Sequence, residues 1–141
     1  MQKYINSALI YAIAAMAGGV FFREFTKYMG FHSYTTLSVV HTHYFILGMI
    51  VFLIMGILEK QLSFTDEKTK KVMAVYHVGL NLTAIMLFVR GIVQVKSPAI
   101  CNVTDSIISG VAGIGHLLMG ISLIILLIRI KQSVGNEMTT E

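Results

Sequence analysis

Histidine is the residue type in this sequence with the clearest capacity for chemistry, because four of its five copies fall within long apolar segments. His41 and His43 share one segment, His77 lies in the next, and His116 lies in the last. An ionisable side chain at membrane depth is costly unless it is paired or liganded. Neutral imidazoles bind metals and haem iron. The sequence therefore predicts a metal or haem site, with a hydrogen-bonded imidazole as the alternative at each position.

The spacing of His41 and His43 decides what this pair can bind. Residues two apart on an α-helix point about 200° away from each other, so the two rings face different clefts and do not chelate one ion. Gly48 follows His41 by seven residues and leaves room on nearly the same face. Apolar walls, free space and an axial imidazole suit a flat ligand such as haem. We expect His41 and His43 to bind haem iron, with His77 and His116 as weaker metal candidates and His116 also near the cofactor.

Two arginines could bind the carboxylates of such a ligand. Arg23 follows the first apolar segment, and Arg90 lies toward the end of the third. A guanidinium matches a carboxylate with two hydrogen bonds, so both are candidates to hold haem propionates. The alternative is that both side chains extend to the membrane interface. All seven acidic residues lie outside the apolar segments, which argues against a proton pump or a cation transporter.

Composition limits what can position these side chains. Of the 141 residues, 55% are hydrophobic and 13% charged, whereas soluble domains carry about 25% charged residues. Apolar segments at residues 4–22, 37–58, 72–95 and 107–130 are each near the length that crosses ~30 Å of hydrocarbon. They occupy nearly the whole chain, which excludes a separate soluble catalytic domain or a nucleic-acid module. We predict one all-α domain, an integral membrane four-helix bundle.

The basic residues predict the orientation of this bundle. Seven lie at one end and four at or toward the other: Lys3, Lys60, Lys68, Lys70, Lys71, Arg129 and Lys131 against Arg23, Lys27, Arg90 and Lys96. Cytoplasmic loops carry the excess, so both termini are expected in the cytoplasm of a bacterium, with the chain in its inner membrane. The polar stretch 59–71 is the clearest loop, Pro98 suits a turn, and Cys101 is an incidental thiol.

Small residues recur at helical spacing in the first and fourth segments. The stripes are Ala8, Ala12, Ala15 and Gly19, and Ser109, Gly113 and Gly120. Such stripes let membrane helices approach closely, so they predict a tight bundle.

The second segment also carries a resemblance. The run VVHTHYFILGMIVFLIMG, Val39–Gly56, resembles the tenth helix of subunit one of the haem–copper oxidases, where His-x-His-Tyr holds the axial ligands of two haems. It is also similar to the His-x-His helix of NnrS proteins. The whole chain, with REFTK, HTH and AGIGH, resembles a family of small bacterial four-helix membrane proteins of unknown function.

The oxidase resemblance implies that this chain corresponds to one of three four-helix arcs. His41 then matches the ligand of the oxygen-reducing haem and His43 that of the electron-entry haem, and a homotrimer would hold haem between protomers. The single His77 departs from the adjacent histidines that bind copper in oxidases, and the carboxylates of their proton pathways are absent. These departures argue against an oxidase-type copper centre and against oxygen reduction, and they leave copper as the less favoured cofactor after haem b.

The function expected from the sequence is binding of haem b in a membrane homo-oligomer, serving electron transfer, haem handling or sensing of diatomic gases. The alternatives are a copper or zinc carrier that uses the same imidazoles, and a scaffold whose histidines are hydrogen-bonded within the protein. Whether the chain is an enzyme, and which redox partner it has, stay open.

Overall fold

The computed structural model describes the backbone of residues 1–96 and 102–138 and the side chains of 1–96 and 105–135. Its elements are α1 (Gln2–Tyr28), α2 (Leu37–His43), a π-helical segment (Tyr44–Ile50), α3 (Val51–Leu62), α4 (Glu67–Lys96) and α5 (Asn102–Met138). The segment from α2 through α3 is one continuous helix, called here the second span. No strand occurs in the described residues, which confirms the all-α expectation. Pro98 and Cys101 lie outside them.

Four helices are long and apolar enough to cross a membrane: Gln2–Tyr28, Leu37–Leu62, Glu67–Lys96 and Asp105–Gly135. Large apolar side chains on the outer faces of α1 and α5 are exposed, among them Leu9, Ile13, Leu117 and Ile121. Lipid chains can cover such apolar faces, whereas exposing them to water is unfavourable in free energy. The fold is thus consistent with a multi-pass membrane protein.

The connection between α3 and α4 is shorter than the sequence predicted. The polar stretch 59–71 is mostly helical, and only residues 63–66 form the turn. Ser63 ends α3 in the left-handed conformation, with φ of 46°. Asp66 then begins α4 by accepting a hydrogen bond from the Thr69 backbone N–H at 2.6 Å, which satisfies an otherwise unpaired donor of the first turn. Because α3 ends at Leu62 and α4 begins at Glu67, both helices include charged residues beyond their apolar segments.

The helices follow each other around the bundle in chain order. α1 packs against the second span, the second span contacts both α4 and α5, and α4 packs along α5. The Tyr4 hydroxyl lies 2.6 Å from the Thr65 hydroxyl, and Arg129 lies 2.8 Å from Asp66. The start of α1, the turn at 63–66 and the later part of α5 therefore share one end of the bundle, as the basic residues predicted. Which side of the membrane this end faces stays a prediction.

The start of the second span is fastened to α4, which positions the histidine pair that follows it. The hydroxyls of Thr35 and Thr36 donate to the carbonyls of Gly91 and Leu87 at 3.0 and 2.9 Å. A Cβ added at Gly91 would lie 2.5 Å from atoms of Leu37, so the two backbones touch there. Threonine at a helix start commonly caps its own helix. Here both hydroxyls donate to the neighbouring helix, and that of Thr35 also accepts from the Leu37 backbone N–H at 3.4 Å.

Small residues bring α4 and α5 together, although not those that the sequence indicated. A Cβ at Gly79 would lie 2.6 Å from the backbone nitrogen of Met119, and one at Gly115 would lie 2.9 Å from that of Thr83. Gly113 and Gly120, in contrast, have open space beside them. In the first span Ala8 and Ala15 are buried, as expected. The face of α5 that packs is therefore that of Gly115, and its Gly113 face points outward.

Adding a methyl group tests the α4–α5 contact. We expect Gly79→Ala to lower the free energy of unfolding by about 1–3 kcal/mol, because the methyl must displace backbone atoms. Gly113→Ala is the matched control and should be neutral or stabilising by up to about 1 kcal/mol, because alanine is the better helix former. Thermal unfolding in micelles, followed by circular dichroism, measures both. Equal effects of the two substitutions would contradict this packing.

Acid sensitivity tests the turn at Asp66. The hydrogen bond from the Thr69 backbone, with smaller contributions from the Thr69 hydroxyl and the Arg129 charge, lowers the pKa of Asp66 from 3.8 to about 2. Because the folded-state pKa is the lower one, its stabilisation exists above about pH 3.8 and is lost as the pH falls toward 2. The melting temperature of the native protein should fall more over this window than that of Asp66→Asn, which keeps an acceptor but no charge. Parallel melting curves would contradict the assignment.

Candidate functional site

His41 lies where the second span meets α1. Its ring sits beside two glycines: a Cβ added at Gly19 would lie 3.7 Å from the His41 Cβ and Cγ, and one at Gly18 would lie 4.0 Å from the His41 Cβ. The Nδ1 atom of His41 is buried and has no hydrogen-bond partner among the described residues. Buried polar atoms are nearly always paired, so this nitrogen is a place where a ligand or a further chain would add a missing contact.

His43 faces the opposite neighbour, α5. Its ring centre lies 5.9 Å from that of His116, with the ring planes 85° apart. The two histidines of the His-x-His sequence thus contact different helices, as the 200° spacing on an α-helix predicts. The sequence placed His116 near the cofactor and left open a site between His43 and His116 of one chain; that the two rings meet depends on how α5 docks against the second span.

The protonation of His43 and His116 follows from their hydrogen bonds. Nδ1 of His43 lies 2.8 Å from the Val39 carbonyl oxygen, and Nδ1 of His116 lies 2.9 Å from that of Ala112. A carbonyl only accepts, so each Nδ1 carries a hydrogen, and in the neutral ring Nε2 then offers a lone pair. Ligating histidines usually donate their other ring N–H to a carbonyl or carboxylate in this way. Both rings are therefore oriented and protonated as metal ligands.

An apolar groove of about 710 Å³ runs along the outer face of α5 beside His116. Gly110, Gly113 and Gly120 border it and have nothing within 4 Å of their Cβ positions, while Ile114, Leu117 and Ile121 supply apolar side chains. Pockets for cofactors commonly have volumes of about 300–1,000 Å³ and mostly apolar walls. Space for a bulky apolar ligand therefore exists next to an imidazole with a free nitrogen.

His77 belongs to a different arrangement, a hydrogen-bonded network with Tyr11, Tyr44 and Asn81. The Asn81 amide lies 2.8 Å from the His77 carbonyl and 3.0 Å from the Tyr11 hydroxyl. Since a carbonyl only accepts, the amide nitrogen faces both groups, and the Asn81 oxygen accepts from Tyr44 at 3.2 Å. The described residues offer the Tyr11 hydrogen no acceptor other than Nδ1 of His77, 2.6 Å away, so we assign this hydrogen bond with Tyr11 as the donor. His77 is thereby an Nε2–H tautomer.

This network favours the hydrogen-bonded alternative for His77 over a role as a metal ligand. Nδ1 of His77 accepts a hydrogen bond from Tyr11, and Nε2 carries a hydrogen, so neither nitrogen offers a lone pair to a metal. Sequence reasoning missed Tyr11 and Tyr44, which lie in apolar spans. A buried tyrosine usually needs a hydrogen-bond partner for its hydroxyl, and this rule could have identified both tyrosines as members of a polar network.

The π-helical segment holds the centre of this network in place. Hydrogen bonding in such a turn runs from i to i+5, which leaves backbone groups in need of other partners. The Tyr76 hydroxyl donates to the Leu47 carbonyl within the segment at 2.7 Å. A Cβ at Gly48 would lie 2.6 Å from the Tyr11 ring. The room that Gly48 provides is therefore filled by Tyr11, and not left free beside His41 as expected.

The two arginines differ in their surroundings. Arg90 lies 2.9 and 3.1 Å from the two carboxylate oxygens of Asp105, and its Nε is buried without a partner among the described residues. The expectation that Arg90 is free to bind a ligand carboxylate is corrected, because Asp105 at the start of α5 supplies one from the protein. Arg23 has a side chain 81% exposed and lies 3.7 Å from Glu24, as the interfacial alternative predicts.

Across the described part of the chain, no three histidine, cysteine or acidic side chains come together as metal ligands. Protein zinc sites use three or four such ligands. The His43–His116 pair is thus a better match for a centre that requires two protein nitrogens.

Most of the sequence matches a known protein family. Residues 1–133 match the family described as "Protein of unknown function (DUF2871)". The chain belongs to this family. Membership of a small family of unknown function is thereby confirmed. No curated protein and no solved structure matches this DUF2871 member, so the resemblance to haem–copper oxidases is not supported.

The tautomers of this DUF2871 protein can be measured directly. In ¹⁵N-histidine NMR spectra of the cofactor-free protein in micelles, we expect Nδ1–H signals for His43 and His116 and an Nε2–H signal for His77. Tyr11→Phe removes the donor to His77 and should shift the His77 nitrogens while the other two histidines keep their shifts. An Nδ1–H signal at His77 in the native protein would contradict the network.

Proposed function

We propose that this DUF2871 protein binds haem b within the membrane and serves electron transfer, with His43 as an axial ligand and His116 of the same chain as the second. The observation that carries the proposal is that both rings donate Nδ1–H to backbone carbonyls, which leaves two Nε2 lone pairs on neighbouring helices. Facing helices commonly supply cofactor ligands in bundles. Bis-imidazole ligation leaves no open iron position, which favours electron transfer over gas chemistry.

Distance and surroundings support this pair. With metal–nitrogen bonds of about 2 Å, two imidazoles on one ion have ring centres about 6 Å apart, and His43 and His116 are separated by 5.9 Å. The groove beside His116 is lined by α5 alone and supplies one apolar wall next to this imidazole. The proposal includes a bacterial cytoplasmic membrane as the location, with both termini on the cytoplasmic side.

His41 offers a second arrangement of the same centre. In a homo-oligomer, such as the trimer that the sequence suggested, His41 of one chain would join His43 of the next. The unpartnered Nδ1 of His41 supports a further contact at that position. Both arrangements use His43, and they differ in whether His41 or His116 completes the site.

A copper(I) site is the second candidate function. Copper(I) accepts two nitrogen ligands, and the short distance between the His43 and His116 rings suits one small ion without any porphyrin. Zinc is disfavoured because the described residues supply no third ligand at this pair.

Absorption spectra of variants test the proposal. Protein purified from haem-replete cells should give a Soret band and a low-spin reduced-minus-oxidised spectrum. His43→Ala should lose most of the haem, and His116→Ala should lose the low-spin spectrum, because each removes an axial nitrogen. His77→Ala should retain the haem, and so should His32→Ala, the matched control at an exposed residue outside the spans.

The other outcomes separate the alternatives. Loss of low-spin haem in His41→Ala but not in His116→Ala would favour the site shared between chains. Stoichiometric copper without a Soret band would favour the copper site. Wild-type haem occupancy in His43→Ala would reject both arrangements of the haem site.

A further inference from the structure

A groove runs between α1 and α4, and the haem proposal does not use it. These two helices, both described in full, do not pack along each other, because the second span lies between them. Two cavities open along the groove, one of about 600 Å³ at the end that carries the start of α1 and one of about 470 Å³ further along. The second span forms the floor of both, through Phe52 and Glu59 in the first and Val40 and Tyr44 in the second.

Two lysines from different helices line the first cavity. Lys3 of α1 and Lys70 of α4 are both exposed there. Lys3 has no ion pair among the described residues, and Lys70 is paired with Glu67, which lies three residues before it on the same helix. Such exposed pairs within one helix contribute little to stability, so Lys70 can exchange this partner for another anion.

The acidic side chain in the same lining does not cancel these charges. Glu59 accepts hydrogen bonds from the Thr65 backbone N–H and hydroxyl, at 3.0 and 2.6 Å, and both go to its Oε2 atom. This carboxylate is thus held against the turn that follows α3. Two lysines and one hydrogen-bonded carboxylate leave the charged side chains of the lining with a net positive charge, which suits an anionic ligand.

His77 supplies a hydrogen-bond donor deeper in the first cavity. Because Tyr11 is assigned as the donor to Nδ1, the His77 hydrogen is on Nε2. Nε2 makes no hydrogen bond within the described residues and is not among their buried unpartnered atoms, so it is accessible. His77 follows Lys70 by about 10 Å along α4. The headgroup layer of one leaflet is about 5–8 Å thick, and flexible lysine side chains cover the difference, so the donor lies near the depth of ester carbonyls.

The second cavity adds an apolar surface at greater depth. Small residues of α1 leave room beside larger apolar side chains, and its lining includes Ala14, Ala17, Gly18, Phe21, Ile85 and Phe88. Ile85 lies fifteen residues beyond Lys70, about 22 Å along α4. One leaflet with its headgroups measures about 20–23 Å. The groove therefore has the length of one phospholipid molecule.

We propose that this groove binds an anionic phospholipid, with the phosphate between Lys3 and Lys70, an ester carbonyl accepting the Nε2–H of His77, and an acyl chain along the second cavity. A neutral lipid offers nothing to the two lysines, and a soluble phosphate offers nothing to the apolar cavity. Basic pockets between membrane helices commonly bind anionic headgroups. The proposal does not depend on the haem site, because His43 and His116 line neither cavity.

Headgroup selectivity of the full chain in neutral micelles tests the role of the lysines. Native mass spectrometry during titration gives the apparent affinities for phosphatidylglycerol and phosphatidylcholine. We expect a preference of about tenfold for phosphatidylglycerol, most of which Lys3→Gln/Lys70→Gln should lose, because lysines at the headgroup layer attract anionic lipid. Lys68→Gln/Lys131→Gln is the matched control, since it removes two exposed charges that do not line the cavity, and it should keep the preference.

An ether-linked phosphatidylglycerol, which lacks ester carbonyls, tests the role of His77. The native protein should bind the ester lipid about three- to tenfold more tightly than the ether lipid, as expected for one neutral hydrogen bond. His77→Phe keeps a ring but removes the donor, so it should bind both lipids equally. Ala14→Phe fills part of the second cavity and should weaken binding of both, whereas Ala12→Phe, at a position that lines neither cavity, should bind normally.

Four results would overturn the proposal: equal native affinity for phosphatidylglycerol and phosphatidylcholine, equal loss of the preference in both double variants, equal native affinity for the ester and ether lipids, or binding of glycerol 3-phosphate as tight as that of the lipid. Circular dichroism of each variant verifies folding before binding is measured. The haem content of the variants should equal that of the native protein, so failure of the lipid site is distinguishable from failure of the haem site.

Discussion

A polar nitrogen within an apolar span must find a partner, and the identity of that partner determines what each histidine can do. The backbone carbonyls of Val39 and Ala112 accept from Nδ1 of His43 and His116, so these rings present lone pairs. Tyr11 donates to Nδ1 of His77, so this ring presents a hydrogen. One residue type thus provides ligands at one place and a donor at another. Because unpaired polar groups are costly in hydrocarbon, these hydrogen bonds favour a different tautomer at each place.

Packing of the second span keeps these two kinds of histidine apart. Thr35 and Thr36 bind carbonyls of α4 at the start of the span, and the π-helical segment follows directly after His43. Within that segment Gly48 admits the Tyr11 ring, which reaches His77 on the far side. The ligand pair therefore faces α5, while the donor network joins side chains of α1 and the second span to α4. The His-x-His sequence lies at the junction of these two regions.

Helical periodicity and composition predicted the features that depend on a single helix. The four apolar segments, the different directions of His41 and His43, and the grouping of helix ends all follow from period and composition. The features that depend on two helices were left open or missed by the sequence, which offered a His43–His116 site only as an alternative. His116 approaches His43 across 73 positions, Tyr11 meets His77 across 66, and Asp105 pairs with Arg90. Spacing also identified the wrong small-residue face of α5, because Gly113 and Gly115 point to opposite sides and only docking distinguishes them.

The central claim is that His43 and His116, whose Nδ1 atoms donate to backbone carbonyls, bind the porphyrin metal, and that His77 does not. Titration of cofactor-free, ¹⁵N-histidine-labelled protein with gallium protoporphyrin IX, a diamagnetic analogue of haem, tests it most directly. We expect the Nε2 signals of His43 and His116 to shift on binding while those of His77 stay in place. A shift confined to His77, or saturation with no change at His43, would contradict the account.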